Sequence, residues 1–523
     1  MRKTAIIILF LTITTLARSQ GSGINAADRN ADPTGKIKCT RIINNIIEEL
    51  SSKGGGTLYF PAGTFLTGPI IMKSNITLWL DAGAVIKFSD DFDDYLPMVP
   101  SRWEGIRVKN FASQVYAFRC ENISIRGRGH FEGQGQKWWD YLRTSGNNQQ
   151  DSGKWQKIFA RENTELLSKN SYLKGRNYFF RPPMITTYEC KNVLIEGVSF
   201  SNPPFWTIMP AFTDNLTITG ITIENPDNSP NTDGIDPSSC RNVHISNCHI
   251  TVGDDCIVIK SGRDEDGREA ASPTENVTIT NCTMLRGHGG VVIGSEMSGN
   301  VKKIAVTNCI FDGTDRGIRI KTMRGRGGVI EDVSVSNIVM NNMVNEGILI
   351  TLRYQNTAPE TVSARTPSCS NVCIANIIQR GGQRPVAIYG LEERDVSQIS
   401  FSNMECITRK GVLIENGHDI GFHEIKLDIS EGNALELIDS RDITWDRVTV
   451  TAPETGLPLL KLVNSSNVTV TGCFQPEAVS LFLAEDEKCH DVIIANNILP
   501  ATEKLFNNKG ENITILNNVI KKQ

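Results

Sequence analysis

The chain has 523 residues, and its 54 basic and 58 acidic side chains give a formal net charge of −4 at pH 7. That length suits roughly two to four globular domains or one elongated repeat structure. The near balance of charge excludes a generic polyanion-binding surface, so any attraction for an acidic partner must be local. Without a broad basic surface, nucleic acid is not expected as a partner.

The N-terminal segment, residues 1–19, has the pattern of a secretory signal peptide. Arg2 and Lys3 precede an apolar run from Ala5 to Leu16, and the small-residue site Ala17-Arg18-Ser19 follows. A basic start, a short apolar stretch and a small-x-small site are typical of such signals. A retained anchor is the alternative, although the run is short for a bilayer span. We expect an exported chain, periplasmic or secreted, without membrane insertion.

A helix is predicted next, over Thr40 to Leu50. Ile42, Ile43, Ile46, Ile47 and Leu50 recur there at helical spacing. Three consecutive glycines from Gly54 end the helix before an apolar strand. Since the open end of a repeat structure exposes unpaired strand edges, we interpret this helix as an N-terminal cap.

The rest of the chain repeats a short phrase of Asn or Asp, then alternating aliphatic residues. It begins at Asn122, Asn192, Asn215, Asn242, Asn276, Lys303, Asp332, Asn371, Gln398, Asp419, Asp442, Asn467, Asp491 and Asn512. From Asn192 to Asn371 the steps are roughly 23–39 residues, a period that indicates a solenoid. The aliphatic alternation predicts strands with one face inward, and Asn suits the left-handed backbone of turns. Helical periodicity is absent between copies. The pattern therefore predicts an all-β parallel β-helix, with residues 20–523 forming one catalytic domain.

One long segment, from Gln136 to Arg181, interrupts the repeats. It contains three tryptophans and many charges but no strand phrase. A long insertion in a solenoid projects from one coil and often has a function. We predict a loop region that forms a wall of the binding cleft, with simple decoration as the alternative.

The thirteen cysteines lack the spacing of a metal site. Cys369 and Cys373 are close in sequence but have no second pair to complete four ligands. Cys248, Cys282 and Cys309 occur at the same place in successive repeats, which predicts an interior stack of small apolar side chains. Export would permit disulfides, but the sequence does not define their pairing.

Four polar clusters stand out between residues 231 and 321. They read Asn231-Thr232-Asp233, Gly253-Asp254-Asp255, Gly287-His288-Gly289 and Arg319-Ile320-Lys321. Their spacing is near one to one-and-a-half repeats, so we expect them to form a column on one face. Three carboxylates, an imidazole and a cationic pair suit acid/base cleavage of a bond in an anionic sugar chain.

The three acids supply the carboxyl groups that glycoside hydrolysis requires. One carboxyl group must protonate the leaving oxygen, and another must activate water or attack carbon. Asp254 and Asp255 would point to opposite faces of a regular strand, but a bend at Gly253 allows both to reach the surface. With Asp233 one coil earlier, mutual repulsion would hold one acid protonated near neutral pH. The alternative for an isolated Asp-Asp pair is a solvated turn.

The cationic cluster predicts a carboxylate-binding site. Arg319 and Lys321 share one strand face, within a segment from Arg316 to Val329 that holds five basic residues and no acid. Arginine forks bind carboxylates well, whereas the alternative is a solvated basic face. His288 lies between glycines that let the backbone approach a ligand, so it is predicted to tune protonation or to bind substrate.

In these four motifs the chain closely resembles the polygalacturonases, family 28 of the glycoside hydrolases. The resemblance implies a right-handed parallel β-helix and hydrolysis of α-1,4-galacturonosidic bonds with inversion, without metal or other cofactor. It implies that Asp254 is the general acid, that Asp233 and Asp255 hold the attacking water, and that His288 supports protonation. Asn231, Arg319, Lys321 and a later tyrosine, Tyr354, would bind the uronate substrate, an oligogalacturonide or pectic polysaccharide. Inversion predicts acid and base carboxyls about 6.5–9.5 Å apart.

A finer resemblance, in residues 262–268 and 289–299, is to the exo-acting branch, in which an inserted loop closes one end of the cleft. We therefore expect release of terminal galacturonate units by a monomer. Three alternatives remain open from the sequence: a hydrolase of rhamnogalacturonan or another decorated pectin, a calcium-dependent pectate lyase, and a non-catalytic β-helix that only binds polysaccharide.

Overall fold

The structure, a computed structural model, describes residues 23–146, 153–173, 180–355, 357–452, 457–475, 481–499, 505–507 and 509–521. The predicted signal peptide lies outside these ranges, as does part of the predicted insertion. Within them, no helix combines the length and hydropathy needed to cross a membrane.

The backbone is a parallel β-helix, as the repeats predict. Each strand pairs in parallel with its equivalent on the next coil: Val243 with Val277, and Val277 with Ile304. The largest sheet has 25 described strands. They are Gly23–Asn25, Gly56–Phe60, Gly63–Thr67, Ile76–Leu80, Ala84–Phe88, Glu121–Gly127, His130–Glu132, Lys191–Glu196, Ser199–Ser201, Asp214–Thr219, Thr222–Glu224, Arg241–Ser246, His249–Thr251, Thr274–Thr280, Thr283–Met284, Val301–Asp312, Val329–Met343, Ser368–Gly381, Val396–Thr408, Gly417–Ile429, Arg441–Asp446, Thr449–Thr451, Ser466–Thr471, His490–Ala495 and Glu511–Leu516.

A second face of the coil holds a four-stranded and a ten-stranded sheet. The four strands are Ile70–Ile71, Val115–Phe118, Ile185–Tyr188 and Ile208–Ala211. The ten are Asp255–Ile259, Gly289–Gly294, Ile318–Lys321, Glu346–Thr351, Arg384–Tyr389, Val412–Glu415, Leu435–Ile438, Pro458–Val463, Leu481–Glu485 and Phe506–Asn507. A small pair, Ile498–Leu499 with Val519–Ile520, lies near the C-terminal end. Between the four-stranded and the ten-stranded sheets, the coil around Ile235 makes isolated bridges: Ile235 pairs with Ile208 and Ile257, and Ser238 pairs with Ala211 and Lys260.

Asparagine at the start of each strand phrase turns the chain and links the coils. Asn215, Asn242 and Asn276 have φ values of 57°, 55° and 58°, the left-handed region that Asn tolerates. Their side-chain amides donate to the preceding coil, at 2.8 Å from Asn215 to Asn192 and at 3.1 Å from Asn276 to Asn242. The recurrent asparagine is therefore a structural ladder.

The interior is one continuous apolar core filled by the alternating aliphatic residues. All thirteen cysteines are free thiols, and all but Cys373 are buried. The predicted stack of Cys248, Cys282 and Cys309 is confirmed. Each of the three thiols points to the carbonyl two residues earlier, at 3.2 Å for Cys248 and 3.3 Å for the other two.

The predicted N-terminal helix is confirmed and spans Thr40–Ser52, two residues beyond the predicted end. Its apolar face, Ile43, Ile46, Ile47 and Leu50, is buried against the first coils.

The insertion differs from the predicted loop because its described part is helical. Among the described residues, the helices outside the N-terminal cap are Gln136–Tyr141, Lys154–Glu162, Thr164–Lys169 and Asp264–Ala270, with a π-helical turn at Leu142–Gly146 and 3-10 turns at Ala27–Arg29 and Phe92–Tyr95. The antiparallel hairpin Val99–Trp103/Ile106–Asn110 supplies the apolar surface that these helices need. Trp138 and Trp139 are buried in this second core, where the Trp138 ring lies 4.1 Å from that of Phe92.

Candidate active site

The parallel register brings the four polar clusters onto successive coils. Asp255 begins the first strand of the ten-stranded sheet and pairs with Gly289, beside His288. Lys321 pairs with Gly294 on the same sheet. Asp233 lies on the preceding coil, at the gap between the two sheets. The site thus occupies the place where regular strand pairing on this face is interrupted.

The three acids converge on one point. One carboxylate oxygen from each of Asp233, Asp254 and Asp255 lies within 4.8 Å of the other two. Asp255 and Asp233 are almost fully buried, whereas Asp254 is partly exposed. The bend at Gly253 lets Asp254 and Asp255 share this face, as expected from the sequence.

The spacing of the acids is shorter than expected. The general rule for inverting enzymes gives carboxyl groups about 6.5–9.5 Å apart, but these nearest oxygens are at most 4.8 Å apart. Two oxygens at that separation can both hydrogen-bond one water molecule, since each bond is about 2.8 Å long. The distance therefore fits a shared water and does not by itself define the stereochemistry.

Cations surround Asp255 on one side of the acids. Lys321 Nζ lies 2.7 Å from its carboxylate and Arg319 Nη1 lies 3.5 Å from it. The ring of Tyr354 packs beneath both cations, 5.6 Å from the Arg319 guanidinium carbon and 5.2 Å from Lys321 Nζ. The predicted substrate-binding residues are thus together, and the two cations already hold an acid of the site.

On the other side of the acids lies Lys260, which the sequence motifs did not single out. Its Nζ is buried 3.9 Å from Asp233, 3.8 Å from Asp236 and 3.2 Å from Glu296. It also lies 4.5 Å from the centre of the Trp206 ring. With Arg319 and Lys321, it partly neutralises the acids, so the local charge balance disfavours a divalent cation between them.

His288 contacts Asp254 directly, with 3.0 Å between its Nδ1 and the carboxylate. Burial alone would raise the pKa of Asp254, but the hydrogen bond to His288 and the nearby lysines lower it below the usual value. The same hydrogen bond raises the pKa of His288. In the free protein the proton of this pair therefore resides on the imidazole.

The pKa of Asp233 is shifted in the opposite direction to that of Asp254. Burial, and then the charge of Asp254, raise the pKa of Asp233 well above its usual value. Burial does the same for the neighbouring Asp236. The carboxyl groups are close enough to titrate as a unit, and burial favours the protonated form on the Asp233–Asp236 side.

Asn231 is connected to Asp254 and to the end of the predicted insertion. Its amide nitrogen lies 3.5 Å from the Asp254 carboxylate, and its oxygen accepts a 2.8 Å hydrogen bond from Arg181. Arg181 is buried and also donates to the carbonyls of Pro204 and Pro230. In the sequence, a single arginine among many charged residues does not indicate this positioning role.

The predicted basic density after Arg316 is neutralised by acids from elsewhere in the chain. Arg316 lies 2.8 Å from Glu346, and Arg324 lies 2.6 Å from Glu393. Arg326 contacts Asp264 and lies 3.8 Å from Glu296. Arg316, Arg324 and Arg326 are therefore paired with acids that are remote in sequence, whereas Arg319 and Lys321 contact Asp255 in the site.

A cavity of about 220 Å³ opens beside the acids. It is lined by Glu104, Trp206, Asn231, Asp233, Asp254, Asp255, Lys260, Arg263, Ser295, Glu296, Lys321, Arg326, Tyr354 and Gln355. Of the described residues between 136 and 181, none is part of this lining. Glu104, at the tip of the hairpin that the insertion supports, lines the cavity instead, and we call this part of the lining the end wall.

Comparison with known proteins places this geometry in a family. The model of the glycosyl hydrolases family 28 matches residues 179–411, and residues 23–138 match the model of rhamnogalacturonase A/epimerase, pectate lyase-like. An endo-polygalacturonase of Pectobacterium carotovorum subsp. carotovorum is 30% identical, over 68% of this chain and 80% of its own. The chain belongs to glycosyl hydrolase family 28.

Other relatives of this family 28 chain include plant and bacterial proteins. A probable polygalacturonase of Vitis vinifera is 32% identical over 59% of each chain, so the match spans less than two thirds of that relative. The crystal structure of a hyperthermoactive exopolygalacturonase from Thermotoga maritima is 35% identical. It superimposes with a TM-score of 0.70 over 78% of this chain and 91% of its own.

Proposed function

We propose that this protein is an exported polygalacturonase that hydrolyses α-1,4-galacturonosidic bonds in pectic chains and releases terminal galacturonate units. The observation that carries the proposal is the cluster of Asp233, Asp254 and Asp255 within 4.8 Å, bordered by Arg319 and Lys321. A site that only bound polysaccharide would not need three mutually repelling acids. The polygalacturonase names of its relatives support the substrate class.

In the proposed mechanism, Asp254 protonates the leaving oxygen while Asp233 and Asp255 orient and deprotonate water. Arg319 and Lys321, backed by Tyr354, bind the carboxylate of a sugar beside the scissile bond. The pKa directions of the free protein require a proton shift, since Asp254 begins ionised beside a protonated His288. An anionic sugar bound next to Asp254 disfavours its negative charge and raises its pKa, which moves the proton from His288 onto the acid.

The base is prepared by a separate proton transfer. Asp233 releases to bulk water the proton that burial favours, and the adjacent Lys260 stabilises the resulting carboxylate. The acids lie so close together that their protonation states belong to the cluster and not to single residues. Inversion follows if the shared water attacks from the face opposite the leaving group.

Exo action is supported by the hairpin tip, which places Glu104 in the cavity lining. In the proposed exo mode, this hairpin blocks the path that a longer chain would follow beyond the reacting sugar. Relatives with endo and exo activities in their names are both present, so the direction of cutting needs a direct assay.

The decisive experiment is product analysis by anion-exchange chromatography on polygalacturonate and on rhamnogalacturonan I. The expected result is galacturonate monomer from polygalacturonate, with slow loss of viscosity. A rapid fall in viscosity with few reducing ends would contradict exo action, and products from rhamnogalacturonan alone would reassign the substrate. Proton NMR of the first product gives the stereochemistry, because a retained anomer would indicate a covalent intermediate. A product that absorbs in the ultraviolet, formed in a reaction that a chelator inhibits, would indicate a lyase.

A further inference from the structure

The end wall of the cavity is built around a strained hairpin tip. Glu104 and Gly105 join the strands Val99–Trp103 and Ile106–Asn110, and both have positive φ, 42° and 84°. The Gly105 carbonyl accepts a 3.0 Å hydrogen bond from the backbone N–H of Arg263. A Cβ at Gly105 would lie 2.8 Å from that nitrogen, so this backbone approach requires glycine. The tip is therefore fixed against the coil that carries Arg263.

The carboxylate of Glu104 is held by two groups that both use the same oxygen. Tyr172 donates its hydroxyl to Oε2 at 2.8 Å, and Arg263 Nη2 lies 3.1 Å from Oε2. The Tyr172 ring also stacks against the Arg263 guanidinium, 3.9 Å away. Since both contacts fall on Oε2, the orientation of Glu104 is set while Oε1 remains able to accept hydrogen bonds from a ligand in the cavity.

The cations at this wall are already paired with its two carboxylates. Arg263 Nη2 contacts both Glu296 and Glu104, at 2.7 Å and 3.1 Å. Burial alone would raise the pKa of Glu296, but Lys260, Arg263 and Arg326 hold it well below the usual value. Oε1 of Glu104 is the acceptor that these contacts leave unused, so a hydroxyl group of a ligand can donate to it.

The position of the wall indicates which end of the sugar chain meets it. His288 is about half exposed and, with Arg286 and Asp227, lines a cavity of about 250 Å³ that is separate from the one that Glu104 lines. A leaving chain held in that cavity puts the sugar attacked at its anomeric carbon between the acids and Glu104, with its C4 end toward the wall.

We propose that Glu104 recognises the free C4 hydroxyl of the non-reducing terminal galacturonate and rejects a chain that continues beyond it. This inference rests on the proposed function and names the residue that gives it exo specificity. The next uronate of a longer chain would meet the hairpin tip at Glu104 and Gly105. Tyr172 and Arg263 are positioning residues that orient Glu104. Because Tyr172 belongs to the insertion, the insertion contributes to the site without lining the cavity.

The test compares two trigalacturonates that differ at the non-reducing end. One is saturated, and the other carries a 4,5-unsaturated terminal residue, which lacks the C4 hydroxyl. The wild-type kcat/KM should be at least about tenfold higher on the saturated substrate, as for a lost hydrogen bond to a charged group. Glu104→Gln should lower kcat/KM about tenfold or more on the saturated substrate and less than about twofold on the unsaturated one.

Two further variants separate recognition from folding. Tyr172→Phe keeps the ring against Arg263 but removes the donor to Glu104, so it should reduce the discrimination in part. Glu189→Gln, in a surface ion pair with Arg119 at 2.6 Å, is the matched control and should leave both values unchanged. A borohydride-reduced trigalacturonate, altered at the opposite end, should respond to Glu104→Gln as the saturated substrate does.

The outcomes distinguish the role of Glu104 from the proposed function. Equal losses on both substrates in Glu104→Gln, or no discrimination by the wild type, would overturn the role of Glu104 while leaving a polygalacturonase. An effect that disappears with the reduced substrate would overturn the assignment of the non-reducing end. Wild-type protein inactive on every galacturonate oligomer would overturn the proposed function itself.

Discussion

The coils around the acids and the coils beyond residue 384 present charged side chains on the same ten-stranded sheet, but they arrange the charges differently. In the later coils, Glu436 lies 2.8 Å from Lys461 on the paired strand and 4.0 Å from Arg384. In the earlier coils, oxygens of three acids gather within 4.8 Å. The backbone pairing is parallel in both regions.

The difference shows that the scaffold does not require the acid cluster. A column of alternating charges satisfies each side chain with its neighbour on the next coil, whereas clustered acids repel and raise each other's pKa values. Proteins retain such an arrangement where it has a function. The paired charges of the later coils are therefore an internal control for the acid cluster of the earlier coils.

The largest expected effect is on catalysis. Asp254→Asn should lower kcat on polygalacturonate by about 10²–10⁴-fold, the usual contribution of a general acid. Its activity should recover on an aryl galacturonide with a good leaving group, which needs no protonation. Glu436→Gln, in the later column, should retain wild-type kcat. Full activity of Asp254→Asn on polygalacturonate would refute its assignment as the acid.

Asp233→Asn should lose comparable activity without recovery on the aryl substrate, since the base is needed for both. Although its activity falls, the free energy of unfolding of this variant should rise at neutral pH. The raised pKa of Asp233 means that the folded state keeps a proton that the unfolded state releases, so stability falls as pH rises above the ordinary carboxyl range. Asparagine removes that penalty, which is on the order of 1 kcal/mol for each tenfold difference in proton affinity between the folded and unfolded states.

Thermal unfolding at pH 7 measures this change. The melting temperature of Asp233→Asn should exceed that of the wild type, and the gain should shrink toward pH 4. Glu436→Gln should lower it slightly, because an exposed ion pair contributes about 0–1 kcal/mol. A destabilised Asp233→Asn would show that its contact with Lys260 outweighs the repulsion among the acids.

A moderate effect is expected in the pH dependence. The hydrogen bond to Asp254 raises the pKa of His288, so the proton of the pair is retained at low pH and lost as pH rises through that raised value. The kcat/KM profile should fall on its alkaline side above the ordinary histidine pKa of about 6.5. His288→Gln should abolish this limb. His490→Gln, which breaks a 2.8 Å His–Asp contact in a late coil, should leave the profile unchanged.

The smallest difference between the regions should come from the asparagine ladder, because both regions share it. Asn276→Ala and Asn467→Ala each remove a side-chain hydrogen bond between coils and leave alanine at a position with positive φ. Each should lower the free energy of unfolding by about 1–2 kcal/mol, with kcat unchanged, as measured by denaturant titration. The corresponding glycine variants should lose less. A change in kcat for Asn276→Ala alone would show that the ladder also positions the acids.

The sequence predicted the parts of this molecule that depend on repetition. The phrase at Asn242 and Asn276 determines both the strand and its register, because one face must stay inward and each turn needs a left-handed residue. Once the register is set, the polar clusters fall on neighbouring coils, so the proximity of Asp233 to Asp254 follows from their spacing.

The parts that sequence reasoning missed depend on contacts between distant residues. Lys260 stands alone in an apolar strand phrase, and Glu104 meets Arg263 across a long stretch of intervening chain. The helices of the insertion lack a partner surface in their own sequence and find one on the hairpin at Val99–Asn110. Gly105 between two short runs of residues suits a turn with positive φ, but Glu104 before it is not one of the residues that such hairpin turns favour.

The free thiols distributed along the solenoid make it possible to follow unfolding one coil at a time. The cysteines run from Cys39 beneath the N-terminal helix to Cys489 near the last coils, and only Cys373 is exposed. An alkylating reagent should label that residue at once, whereas each buried thiol reacts only when its own coil opens. Peptide mapping of labelled protein would then reveal whether the coils that carry the acid cluster open before their neighbours.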